Sequence, residues 1–291
     1  MVDRQVRMGM TEARGDATAS LGRRMLNKVP EITLYFWIIK ILCTTVGETA
    51  ADFLNVQLNL GLTVTTYVMS ALLAGTLVVQ FKVRRYVPGL YWFAVVLLSV
   101  VGTLITDNLI DTFGIPLTTT TTVFAVALAA IFAAWYVSER TLSIHTIYTT
   151  RREGFYWLAI LFTFAMGTAA GDLAAERLAL GYPLSALMFG AVIALVAVAH
   201  LRFKLNAILA FWIAYILTRP LGASLGDYLS QPRANGGLGL GTIATSALFL
   251  VMILGLVIYL SVTRRDVAVA GATKRRRDSD ASDEDEDEGV A

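Results

Sequence analysis

The sequence predicts an all-α integral membrane protein: eight transmembrane helices built as four parallel two-helix repeats, grouped into two four-helix halves. Three observations predict it. The chain is 56% hydrophobic and 16% charged, too apolar for a soluble domain of its length. Its apolar residues come in blocks of roughly 20, the length that crosses a ~30 Å hydrocarbon layer as a helix. Finally, the pattern Trp-x9-Gly-x4-Asp occurs four times, always inside such a block: Trp37–Gly47–Asp52, Trp92–Gly102–Asp107, Trp157–Gly167–Asp172 and Trp212–Gly222–Asp227.

The first span, about 31–54, carries the first motif. Residues 1–29 contain no apolar h-region, so no cleavable signal peptide is expected and this span directs insertion. The second, 63–81, opens on Thr63, Thr65 and Thr66 and ends before Lys82, Arg84 and Arg85. The third, 89–112, holds the second motif and Asp111, and the fourth, 118–138, opens on Thr118 through Thr122 and stops before Arg140. The fifth, 154–176, follows Arg151 and Arg152 and holds the third motif; the sixth, 183–201, ends before Arg202 and Lys204. The seventh, 206–229, holds the fourth motif with Pro220 inside it, and the eighth, 240–262, opens near Thr242, Thr245 and Ser246.

Basic residues set the expected orientation. With the N-terminus inside, internal loops hold all the loop Lys and Arg except Arg177 and Arg233, and both tails are basic. That is a positive-inside pattern with both ends cytoplasmic, in the cell (inner) membrane. The domains follow as a tail over 1–29, a membrane domain over 30–264 and a disordered cytoplasmic tail over 265–291. The repeats run about 30–85, 86–140, 154–204 and 205–264. In the last tail Lys274-Arg275-Arg276-Arg277 precedes eight acidic residues, a composition that cannot bury a core. Cys43 is the only cysteine and lies in a span, so it is expected to be a buried small side chain. His145 and His200 are too few and too far apart for a metal cluster.

Trp-to-Trp distances of 55, 65 and 55 residues make the unit a hairpin and suggest the two halves. Each unit crosses twice, so the copies are parallel rather than inverted. The aromatic groups Tyr35-Phe36-Trp37, Tyr91-Trp92, Phe155-Tyr156-Trp157 and Phe211-Trp212 are expected to anchor helix ends at the interface. Gly47, Gly102, Gly167 and Gly222 are followed four residues on by Ala51, Thr106, Gly171 and Gly226. Such small residues let membrane helices approach closely, so these positions are assigned to packing.

The aspartates are the candidate site. A carboxylate at membrane depth is costly unless it meets water, an ion or a partner charge. On the same faces lie Glu48, Thr44 and Lys40, then Ser99, Thr103 and Asp111, then Thr168 and Glu176, and then Tyr215 and Arg219, with Ala223 interrupting the last stripe. The predicted ion or substrate pathway is Asp52, Asp107, Asp172, Asp227, Glu48, Asp111, Lys40 and Arg219. Arg219 precedes Pro220, a kink position that suits a moving element; the alternative is a static Arg–Asp pair locking the bundle. The clustered threonines either line the acidic mouth or, as is usual, bond back to their own helix.

The tandem hairpins, with the run Thr218-Arg219-Pro220-Leu221-Gly222-Ala223-Ser224-Leu225-Gly226-Asp227, resemble a bacterial family of uncharacterised membrane-anchored proteins known as a repeat of unknown function, over about residues 29–264. The resemblance implies an integral membrane protein and carries no substrate.

Oxygen ligands without a Cys/His cluster suit hard cations. The expected function is a secondary transporter or exporter of a small cation, divalent metal or proton-coupled; the alternatives are a cation channel or a structural or sensory membrane protein. An enzyme is not expected: an intramembrane aspartyl protease needs one proton-sharing carboxylate pair, and this chain offers four equivalent aspartates. No cofactor and no nucleic-acid partner are predicted, and no metal ligand is assigned. The partners are the lipid bilayer and a small cation, and any ATP-driven step would need a second protein because no phosphate-binding loop is present.

Overall fold

The computed structural model describes residues 27–57 and 61–267, so both tails fall largely outside the described residues. Among these there is no strand. Eight long helices follow one another: α1 Leu34–Asp52, α2 Leu62–Lys82, α3 Pro88–Asp107, α4 Leu117–Glu139, α5 Thr150–Asp172, α6 Gly181–Phe203, α7 Ala207–Ser230 and α8 Thr242–Thr263. All are long and apolar enough to cross a membrane. The chain is a multi-pass membrane protein.

Local chemistry starts the odd helices. Thr33 accepts a hydrogen bond from the Phe36 amide, Thr149 from that of Arg152, and Asn206 from those of Ile208 and Leu209. Pro88 opens α3, where its missing N–H costs nothing. Before α2 and α8 the chain turns through Gly61 and Gly241 at φ 76° and 79°, values only glycine adopts freely.

The odd helices form an inner ring in which α1 touches α3 and α7, and α5 touches α3 and α7. They are mostly buried; the even helices are mostly exposed and present Val68, Val126, Leu187, Leu195 and Leu254 outward, as a lipid-facing layer requires. Connection and packing differ. Each even helix packs chiefly on the odd helix of the next repeat: α2 on α3, α4 on α5, α6 on α7 and α8 on α1. The hairpin is therefore a unit of sequence rather than of packing. Nor does the longer middle loop mark a seam between halves, because α3 meets α5 as α7 meets α1.

The motif glycines explain the ring. A Cβ at Gly102 would lie 2.7 Å from Phe164 Cβ, and one at Gly47 would lie 2.6 Å from Ser99 Cβ. One at Gly167 would lie 2.6 Å from Arg219 Cβ, and one at Gly222 2.5 Å from Thr44 Cβ. Each glycine thus receives the residue seven positions after the tryptophan of the next repeat, and the fourth receives that of the first. Contacts this close are what bind helices in a medium as apolar as their side chains.

At the Trp end, the segment before α1 straps the bundle. Lys28 pairs with Glu153 at 2.6 Å and donates to the Phe81 carbonyl at the end of α2. The Glu31 amide donates to Asp266 O, and Tyr86 donates to Asp266 Oδ2 at 2.6 Å. Residues 27–29, assigned by sequence to the tail, are thus packed structure.

Candidate functional site

The ring axis is layered. At the Trp end is an aromatic layer in which Trp92, Trp157 and Trp212 are buried, 1–4% exposed. These three are core residues, not lipid-interface anchors, because the face they occupy is the one the glycines press inward. Trp212 Nε1 donates to Leu142 O at 2.9 Å, and the fifth tryptophan, Trp135, packs edge-on to Trp212. Phe36 and Phe211 meet at 6.0 Å, while Tyr91 and Tyr156 share a hydroxyl–hydroxyl hydrogen bond of 2.5 Å.

Lys40 comes next and is fully buried. Its ammonium lies 4.3 Å from the Phe164 ring centre and 4.2 Å from that of Tyr215, and donates to Thr218 Oγ1 at 3.4 Å. No carboxylate pairs with it among the described residues. Lys40 lies on the axis but apart from the acids. Cys43 is buried beside it.

Arg219 fills the layer above, 0% exposed, and reaches all three other inner helices. It donates to Glu48 Oε2 at 2.9 Å and Thr44 O at 3.2 Å on α1, to Thr103 on α3, and to Thr168 Oγ1 at 2.6 Å on α5. Glu48, Thr103 and Thr168 stand eleven residues after their tryptophans, and the fourth copy has Ala223 there. The polar stripe is thus interrupted on α7 at the level where the Arg219 side chain meets polar groups of the other three inner helices. The ion pair forms with Glu48 and not with a motif aspartate as the static alternative supposed.

Beyond Arg219 are the carboxylates. One oxygen each from Glu48, Asp172 and Asp227, on α1, α5 and α7, lie within 4.8 Å of one another. Glu48 is the common electrostatic neighbour of Asp52, Asp107, Asp172 and Asp227. Asp227 is buried, Asp52, Asp107 and Asp172 are half-buried, and Asp111 and Glu176 are exposed. The acids thus grade from buried to open at the end opposite the tryptophans. An arrangement of carboxylate oxygens from three helices can hold a hard cation.

Three features were missed in the sequence. The helices widen after the first three motif aspartates, where π-helical turns Phe53–Gln57, Asn108–Thr112 and Leu173–Arg177 follow at once. Such turns often mark functional places in helices; their identical offset from Asp is the only signal the sequence held. Asn108 Nδ2 donates to Thr66 Oγ1 at 2.6 Å, joining α3 to α2. Lys28–Glu153 spans 125 positions and had no local signature. The threonines behave as usual: Thr66, Thr120, Thr121, Thr122 and Thr245 donate to carbonyls four residues back.

A family model described as Repeat of Unknown Function (DUF347) matches residues 35–86, 90–141, 155–206 and 210–266, more than half of the chain. No curated protein and no solved structure matches it.

Proposed function

The chain belongs to this repeat family, and from its residues we propose a secondary transporter or exporter of a small hard cation, working through the acidic layer. The observation that carries this reading is the convergence of Glu48, Asp172 and Asp227 from three helices to within 4.8 Å. Like charges at membrane depth repel and are poorly solvated, so their gathering at one point calls for a counter-charge or for bound protons. Arg219 supplies one, and a bound divalent cation supplies the rest. The graded exposure of Asp52, Asp107 and Asp111 gives the ion a route in from the acidic end. The basic loops, with Arg84, Arg85, Arg151 and Arg202 exposed, favour a cytoplasmic Trp end in a plasma membrane.

Arg219 also favours a transporter over a channel. It crosses the axis to every other inner helix, so no ion passes without its movement. Pro220 beside it removes a backbone hydrogen bond and gives α7 a place to bend. The test is ion-resolved flux in liposomes holding the full chain, screening Mg²⁺, Mn²⁺ and protons. Saturable uptake of one ion that Asp227→Asn abolishes supports the reading; no flux and no binding of any ion screened would overturn it.

A further inference from the structure

Between Lys40 and the Trp end lie four buried or half-buried tyrosines that a cation site does not require. The Tyr215 hydroxyl is fully buried without a hydrogen-bond partner and belongs to the ring that Lys40 faces at 4.2 Å. Tyr215 and Tyr156 are electrostatic neighbours, Tyr156 and Tyr91 share the 2.5 Å hydroxyl contact, and the Tyr91 and Tyr86 rings are 5.7 Å apart. Tyr86 then donates to Asp266 Oδ2 at 2.6 Å. The groups facing Lys40 are Arg219, Cys43, Thr218 and the two rings; those facing Tyr86 are Asp266 and the Trp92 indole.

Packing alone does not explain these oxygens. At the position before the motif tryptophan, repeats one and four have Phe36 and Phe211, and repeats two and three have Tyr91 and Tyr156. Phenylalanine therefore fills this ring position well; Tyr91 and Tyr156 satisfy each other's hydroxyls, while the Tyr215 hydroxyl is left buried without a partner, which is costly.

We propose that Lys40, Tyr215, Tyr156, Tyr91, Tyr86 and Asp266 form a proton relay along the half of the axis below Arg219. A proton leaves the Lys40 ammonium, breaking an N–H bond. Each phenol in turn accepts a proton on its oxygen as it gives up its own, so no phenolate remains, and the Asp266 carboxylate takes the last one. The relay requires a water on either side of Tyr215 and one between Tyr91 and Tyr86. Lys40 recovers its proton from the carboxylates when the Arg219 bridge opens, which couples proton movement to the cation. This coupling rests on the reading of the acidic layer as a cation site; the relay itself does not.

The experiment uses the full chain in liposomes with an internal pH dye, alongside Mn²⁺ titration of the same preparations. Tyr91→Phe, Tyr156→Phe and Asp266→Asn are each expected to slow proton movement by about tenfold or more, with Mn²⁺ binding unchanged. Tyr136→Phe, exposed on α4, should retain the wild-type rate. Equal proton rates in all four variants overturn the relay, as does Mn²⁺ movement by the wild type without protons. Tyrosine-dependent proton movement without Mn²⁺ binding would instead remove the cation reading and keep the relay. Asp266→Asn, at the end of the chain of hydroxyls, provides the test if either core variant fails to fold.

Discussion

Gly222 of α7 lies against Thr44 of α1, so the last repeat closes on the first. The contact repeats Gly47 against Ser99, Gly102 against Phe164 and Gly167 against Arg219, and it turns four tandem copies into a ring rather than an open row.

Gly222→Leu should prevent closure. Even a Cβ would stand 2.5 Å from Thr44 Cβ, and overpacking of this kind costs about 1–3 kcal/mol or more. Gly75→Leu, where nothing lies within 4 Å, should be tolerated. Thermal unfolding in detergent compares them, and equal midpoints for the two variants would count against the ring contact. Thr44→Gly should partly rescue Gly222→Ala, since it removes the group that collides.

Arg219→Gln should destabilise the bundle by about 3–5 kcal/mol, because it leaves Glu48 buried without its partner. Adding Glu48→Gln should recover much of the loss, as neutral groups can share hydrogen bonds with Thr103 and Thr168. Arg219→Lys should resemble Arg219→Gln more than wild type: one ammonium cannot span three helices as the guanidinium does. A double variant no more stable than Arg219→Gln would show that the ion pair is not what holds the layer.

The acidic layer should show graded effects. Asp172→Asn and Asp227→Asn, in the close group, are expected to weaken Mn²⁺ binding by about tenfold or more, about 1.4 kcal/mol. Asp111→Asn, exposed at the mouth, should have a smaller effect that disappears with salt. Titration of purified protein at two ionic strengths measures both. Equal effects at Asp111 and Asp227 would place the ion elsewhere.

Asp266 gives a pH dependence outside the membrane spans. Burial raises its carboxyl above the usual carboxylate range, with the Tyr86 hydrogen bond opposing, and burial likewise pushes the Tyr86 phenol up. A carboxyl with a raised folded-state value binds its proton more tightly when folded. Stability at the Trp end should therefore rise as pH falls through that raised value and level off below the ordinary one. Asp266→Asn should remove this slope. Hydrogen exchange over residues 27–33 between pH 7 and 4 checks it, and parallel slopes in the two proteins would contradict it.

Much of this was legible in the chain. Hydropathy predicted the eight spans to within four residues at each end, as with 150–177 against 154–176, because crossing length and apolarity are local properties. The Trp-x9-Gly-x4-Asp register also made Asp52, Asp107, Asp172 and Asp227 equivalent by position; in the structure Asp172 and Asp227 close on Glu48 and Asp227 is the buried one.

The sequence by itself determined what each helix is and which of its faces is polar. Only the tertiary structure decided which helix each face meets. A face can turn to lipid or to any neighbour, and the choice depends on fitted shapes far apart in the chain. Trp92 looked like an interface anchor and is core, because Gly102 draws α3 against Phe164 on α5. Arg219 could have paired with any acid within reach. It pairs with Glu48, 171 positions away, because α1 packs against α7 and brings the two side chains together.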